Sequence, residues 1–405
     1  MRVVLDTSTL LLRHAGIATY TLELVKAMLR RTQPEETLVA FDPLAGFVPI
    51  DHRWPAEMES RNTRRVATGR GFASSLPERV MRSGDALRRL ARFAKEVRFA
   101  LGARHHDLCH ALATMPPGPT DRPVIPLLCD ISPLLFPETH PRERVRAFER
   151  WLPAMLRAPA INTISEHSRR EIASFLGYPR ERILVTHPGV DHFFLEEEPP
   201  DDTGTPPRLA LGDRPFLLVV GTREPRKNIP TALAAFARLP PAMRRDALLV
   251  VAGGDGWGSL ALPREAEPLA RDGTIRFPGY VERGELRALY RHARALVFPS
   301  LHEGFGMPVI EALACGTRVV ISAGTALAEA AGPHGVAVQP GDVEGWSDAM
   351  REALEGEPDK PARRAERRDW ARRFDWTRTA SLTLGLYRRV LAGGPVAATA
   401  SADAL

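Results

Sequence analysis

The chain has 405 residues, 44% of them hydrophobic and 26% charged, with a formal net charge of +6 at pH 7. That length is too great for one ordinary core and implies two domains of about 100 to 200 residues each. No stretch reaches the roughly 20 apolar residues of a membrane span, and the three cysteines, Cys109, Cys129 and Cys315, have neither disulfide nor metal spacing, which fits a reducing cytoplasm.

In chain order, residues 1–7 read as a strand rather than an export signal. Residues 14–21 form a loop around Gly16 that enters a helix, either an approach to a phosphate or a plain helix start. Between Arg61 and Arg104 stand twelve basic residues against Glu78, Asp85 and Glu96, and residues 87–100 have apolar positions at helical intervals. This basic amphipathic helix could rest on an anionic membrane surface or simply be solvated. No aromatic stacking motif or helix-turn-helix accompanies the charge, which argues against nucleic acid. His110 ends a short apolar run and reads as structural. Asp130, just before Ser132-Pro133, suits either an Asx turn or a hydroxyl ligand, and Ser165 is a helix N-cap candidate. Residues 196–207 are acidic and proline-rich, a natural linker.

The second half opens with an apolar strand at 216–220, followed by Gly221, Thr222 and the cations Arg226 and Lys227 just before a helical run at 230–239. An arginine fork and a lysine point charge together suit a diphosphate. Strands follow at 248–254 and 275–281, the latter carrying Tyr280 and Val281, and residues 285–290 have helical spacing. The run 295–298 is a buried strand that ends at Pro299-Ser300. Glu303 and Glu311 then bracket Gly304, Phe305 and Gly306, with Pro308 opening a helix through Cys315. The helix N-terminus suits a phosphate and the two glutamates suit sugar hydroxyls, although a strand-helix connection with solvated glutamates would carry the same pattern. Residues 380–391 read as a last helix, and the tail beyond Gly393 has no amphipathic period.

The segment 298–316 resembles the E-x7-E signature of the family 4 (GT4, group 1) retaining glycosyltransferases. Residues 219–228 are similar to that family's G-T-x-x-x-R-K-N segment, and further likenesses cover most of the chain. The resemblance implies an α/β GT-B fold of two Rossmann-like domains facing across a cleft. The acceptor side would comprise residues 1–195 plus a return helix at about 376–393, and the nucleotide-sugar side residues 208–375. It implies a cytoplasmic enzyme, with the option of peripheral contact at the inner membrane face through 61–104. The reaction would move a hexose, mannose from GDP-mannose first and a UDP-hexose second, to a glycan or lipid-linked acceptor in surface polysaccharide biosynthesis.

Under the resemblance Arg226, Lys227, Glu303 and Asp130 carry the chemistry. Gly16, Gly221, Thr222, Tyr280, Val281, Gly304, Phe305, Gly306 and Glu311 bind substrate. No metal or other cofactor is implied, because the cation pair offers the counter-charge. Two departures stand out. Ala18 replaces a usual glycine, and Cys129 stands where the family has a cleft histidine, which a thiol cannot match as simultaneous donor and acceptor. They leave open a variant site, another histidine in that place, or a non-catalytic binding homologue.

Overall fold

The computed structural model describes residues 1–11, 16–42, 45–67, 85–112, 118–196, 204, 207–258, 262–356 and 359–396, with backbone alone at 61–67 and 85–92. Most of the expected linker, residues 14 and 15, and the tail past 396 lie outside them. Two α/β domains account for the chain.

The first sheet runs β3-β2-β1-β4-β5, from β1 (Arg2–Asp6), β2 (Thr37–Asp42), β3 (Gly46–Pro49), β4 (Leu108–Ala111) and β5 (Val124–Pro126). It is parallel except for β3, which folds back antiparallel on β2 at the edge. A bridge from Leu127 to Asn162 carries it on to the parallel pair β6 (Ile161–Thr163) and β7 (Ile183–Val185). Both faces are covered, which is why β1 reads as an unbroken apolar run. Val3 and Leu5 pack on helix α1 (Gly16–Leu29) through Leu24 and Met28, while Val4 faces Phe41 and Phe99, the latter on helix α2 (Asp85–Ala103).

The second sheet is wholly parallel, in the order β10-β9-β8-β11-β12-β13. Its strands are β8 (Phe216–Val220), β9 (Leu248–Ala252), β10 (Ile275–Gly279), β11 (Ala295–Phe298), β12 (Val319–Ser322) and β13 (Gly335–Val338). Alternation splits its apolar residues between two layers. Leu217, Val219, Leu249 and Val251 pack with Phe236 and Trp346, and Leu218, Val250, Leu296 and Phe298 pack with Val309 and Leu313.

The last helix, which we call α8 (Trp376–Leu391), is capped by Asp375, whose carboxylate accepts from the Thr377 amide at 2.8 Å. It returns to the first domain. Trp376 meets Tyr20 of α1 edge to face at 5.4 Å, and the Tyr387 hydroxyl lies 2.6 Å from His110 Nδ1. Gly189 lets this crossing happen, since a Cβ there would stand 2.3 Å from the Trp376 nitrogen. Among the described residues no helix is long and apolar enough to cross a membrane.

Candidate functional site

Ligands of parallel α/β sheets gather beyond the carboxyl ends of the strands, and two adjacent ends, those of β8 and β11, build the site here. After β8 the chain leaves through Gly221, packed so tightly on Gly253 that a Cβ on the latter would fall 1.9 Å from the Gly221 carbonyl. A single 3-10 turn, Pro225–Lys227, presents both cations before helix α4 (Ile229–Ala237). Asn228 closes that turn in the left-handed region at φ 51°, and its amide donates to the carbonyls of Pro299 and Pro340, each at 3.0 Å. The cationic turn is thereby fastened to the loop after β11.

That loop runs from Pro299 to Gly306 and enters helix α6 (Met307–Ala314). Gly306 holds φ 113°, and a Cβ there would lie 2.6 Å from Leu327. The helix begins at Met307, so Pro308 is its second residue and not its first as expected, because the left-handed Gly306 already serves as the N-cap.

Glu303 is 7% exposed and meets both cations, Arg226 Nη1 at 3.0 Å and Lys227 Nζ at 2.7 Å. Burial alone would raise its carboxyl. The two cations outweigh burial and hold it at about 2. Glu311, partly buried on α6, has a different setting. Its carboxylate accepts from the Tyr290 hydroxyl on helix α5 (Arg283–His292) at 2.9 Å, and burial lifts it to about 7.

The first domain supplies the opposite wall. Asp130 accepts from the Ser132 amide at 2.8 Å and hydroxyl at 2.6 Å, the Asx turn read from sequence. Against its burial, the charges of Arg226 and His302 and the Ser132 bonds draw its carboxyl to about 2. The turn and the charge coupling across the cleft coexist. The Cys129 carbonyl accepts from Ser168 Oγ at 2.8 Å, and a Cβ on Gly304 would stand 2.6 Å from that same oxygen. Backbone therefore meets backbone where the domains touch, and burial with the nearby Asp130 carboxylate keeps the Cys129 thiol protonated.

The remaining sequence-named residues divide by what they can offer. Thr222 donates to Glu224 at 2.7 Å. Tyr280, 40% exposed, stands just past β10 with Val281 buried behind it. Phe305 is buried against Phe374 and His187, with ring centroids 5.3 and 5.7 Å away, so only its backbone remains for a ligand. Gly16 opens α1 at the surface. Ser165 caps helix α3 (Glu166–Leu176), accepting from the Ser168 amide at 3.0 Å, and His110 is buried in the role read for it.

Sequence reasoning missed several partners. His302, next to Glu303, turns Nε2 to the Glu171 carboxylate at 2.9 Å. Glu329, on the short helix α7 (Leu327–Ala331), accepts from the amides of Glu166 and His167 at 2.9 and 3.2 Å and also pairs with His187. His302 could have been flagged by its adjacency to Glu303. Nothing in the local pattern around Glu329 points to its role.

The family model described as glycosyl transferases group 1 matches residues 205–370. The chain is 35% identical over 260 residues to O-antigen chain mannosyltransferase B of Escherichia coli, covering 64% of this chain and 68% of that one. It is 30% identical over 240 residues to the serotype-specific mannosyltransferase WbdA of Escherichia coli, covering 58% of this chain and 29% of that longer protein. In fold it is similar to Anabaena HepE, solved in complex with UDP and glucose, with TM-score 0.65, 17% identity and coverage of 96% and 99%.

Proposed function

The chain belongs to the glycosyl transferases group 1 family, and from that membership we propose that it moves mannose from GDP-mannose to a glycan or lipid-linked acceptor in surface polysaccharide assembly, with retention of anomeric configuration. The observation that carries the reading is the largely buried trio of Arg226, Lys227 and Glu303 beyond the ends of β8 and β11. Both cations are spent on a carboxylate that an incoming diphosphate would displace. The diphosphate would take the guanidinium fork and the ammonium, and Glu303 would turn its oxygens to hydroxyls of the donor sugar.

In this scheme the bond from the anomeric carbon to the diphosphate oxygen breaks while the acceptor oxygen bonds on the same face. The departing phosphate oxygen collects the acceptor proton. Arg226 and Lys227 stabilise the negative charge that grows on the leaving group, the term that dominates such transfers, so the reading assigns this task to side chains and not to a metal ion. Glu311 accepts from the ribose hydroxyls, and Asp130 orients the acceptor or the sugar from the facing wall. Mannose is favoured over a UDP-hexose by the names of the two Escherichia coli relatives.

Incubation with a panel of GDP- and UDP-sugars, with candidate acceptors and a chelator present, tests the reading through nucleoside diphosphate release. Release from GDP-mannose exceeding that from every UDP-hexose is expected. Binding without release for every pair would overturn the catalytic reading, and preference for a UDP-sugar would overturn the donor assignment.

Helix α2 bears on where the acceptor is met. Phe93, Val97 and Leu101 follow one another at four-residue steps and are exposed, Phe93 by 63%, with Lys95, Arg98 and Arg104 among them. An apolar stripe among cations suits the surface of an anionic bilayer, where a lipid-linked acceptor would be presented. Cosedimentation with vesicles rich in phosphatidylglycerol is expected, and is expected to fail for Phe93→Ser with Val97→Ser. Equal binding of that variant would remove the stripe from the scheme.

A further inference from the structure

Outside the diphosphate and sugar contacts, one cluster of ligating side chains bridges the two domains. His167 and Glu171 are four residues apart on α3, so one helical face presents both. His302 reaches them from the loop after β11 in the other domain. Glu171 lies 3.2 Å from His167 Nε2 and 2.9 Å from His302 Nε2, and one ligand atom from each residue falls within 4.8 Å of the others. We propose that His167, Glu171 and His302 form a zinc site that joins the two domains across the cleft.

Tetrahedral zinc with bonds near 2.0–2.1 Å holds its ligand atoms roughly 3.3 Å apart, close to the two carboxylate–imidazole spacings here, while the two imidazoles, within 4.8 Å of each other, would close on the ion. Two imidazole nitrogens and one carboxylate oxygen suit zinc. Magnesium and calcium favour sets of six or more oxygens. The frame is held in place before any ion arrives. Glu329 fixes the amides of Glu166 and His167 at the start of α3, and Phe136 packs on the His302 ring at a centroid distance of 5.5 Å. His302 is 3% exposed, so its ring is enclosed on the side of the cluster. Zinc would displace the Nε2 proton to solvent and take its place, leaving a fourth position for water.

Because two ligands come from one domain and the third from the other, the bound ion favours the closed cleft.

The test titrates the metal-free full chain with zinc against a chromophoric chelator. One equivalent is expected, unaffected by magnesium, with affinity at least about tenfold weaker in His167→Ala and in Glu171→Gln, since even outer partners of a metal site are worth that much. Zinc should raise the melting temperature of the wild type and not of His167→Ala, whose melt without zinc reports whether it folds. Absence of stoichiometric zinc, or an affinity unchanged by His167→Ala and His302→Ala alike, would overturn the proposal. Direct binding is the readout, so failure here and failure of sugar transfer are separate results.

Discussion

Glu303 and Glu311 are one residue type eight positions apart on one loop and helix, yet their carboxyls sit at about 2 and about 7. The difference lies in the neighbours, two cations against a tyrosine hydroxyl in an enclosed place. For Glu311 the folded value exceeds the ordinary 4.5, so the folded chain holds the proton more tightly. The stability this gives is full below the ordinary value and is lost as pH rises through about 7. Ribose hydroxyls donate to the ionised form. Nucleoside diphosphate affinity should therefore fall by up to about tenfold per pH unit below the titration point, and Glu311→Gln should bind weakly with a flat pH profile in calorimetry. A sloped profile in that variant would remove Glu311 from the ribose. Glu303 has the opposite sign, its stabilisation lost only as pH falls through about 2. Arg226→Ala should lower kcat by about 10² to 10³ with a smaller change in KM, as for loss of one electrostatic donor to a transition state. Steady-state kinetics with the preferred donor distinguishes this from a pure binding defect.

At the scale of elements, the pairing of a strand end with a helix start was readable because each part has a local cause. Apolar runs such as 295–298 mark buried strands, and Gly306 at φ 113° has no substitute with a side chain. The cations at 226 and 227 were legible for the same reason, standing where a strand has ended and a helix has yet to begin. The contacts of α3 were not. Glu171 and His302 are 131 positions apart and Glu166 and Glu329 are 163 apart, so their meeting depends on how two finished domains dock. No periodicity within either segment encodes it. Gly304 offers a probe of that docking, since its φ lies outside the left-handed region and a Cβ there would meet first-domain atoms, the Cys129 carbonyl oxygen at 2.6 Å and Ile164 Cδ1 at 3.3 Å. Gly304→Ala should leave the second domain folded and its nucleoside diphosphate affinity within a few-fold, while turnover falls by at least about tenfold because closure is blocked. Parallel measurement of binding and turnover checks this, and an equal loss of both would show that the glycine serves the nucleotide itself. The group that Gly304 meets at position 129 is a backbone carbonyl, which a histidine there would present as well.

Across the whole molecule, sequence order and spatial order part at α8, which follows the second domain in sequence yet completes the first domain's core. Tyr20, Leu24, Ala380, Leu384 and Tyr387 share one buried cluster, so the last helix covers α1 on that side. Two polar contacts set the register of the crossing. The Thr379 hydroxyl donates to the His187 carbonyl, and His110, neutral at ordinary pH because burial lowers it to about 3, pairs with Tyr387. Removing one partner of a buried pair costs about 1–3 kcal/mol, so Tyr387→Phe should lower the melting temperature of the first domain and leave nucleotide affinity unchanged. Truncation after Asp375 is the stronger test, because it exposes the apolar face of α1 while sparing every residue of the second sheet. Two melting transitions in the intact chain should then become one, with nucleoside diphosphate still stabilising the surviving transition. If the truncated chain kept both transitions, the first domain would be self-sufficient and α8 only a tether. Loss of both would mean that the domains fold as a single unit, in which case the cleft could not open by rigid movement about its linker.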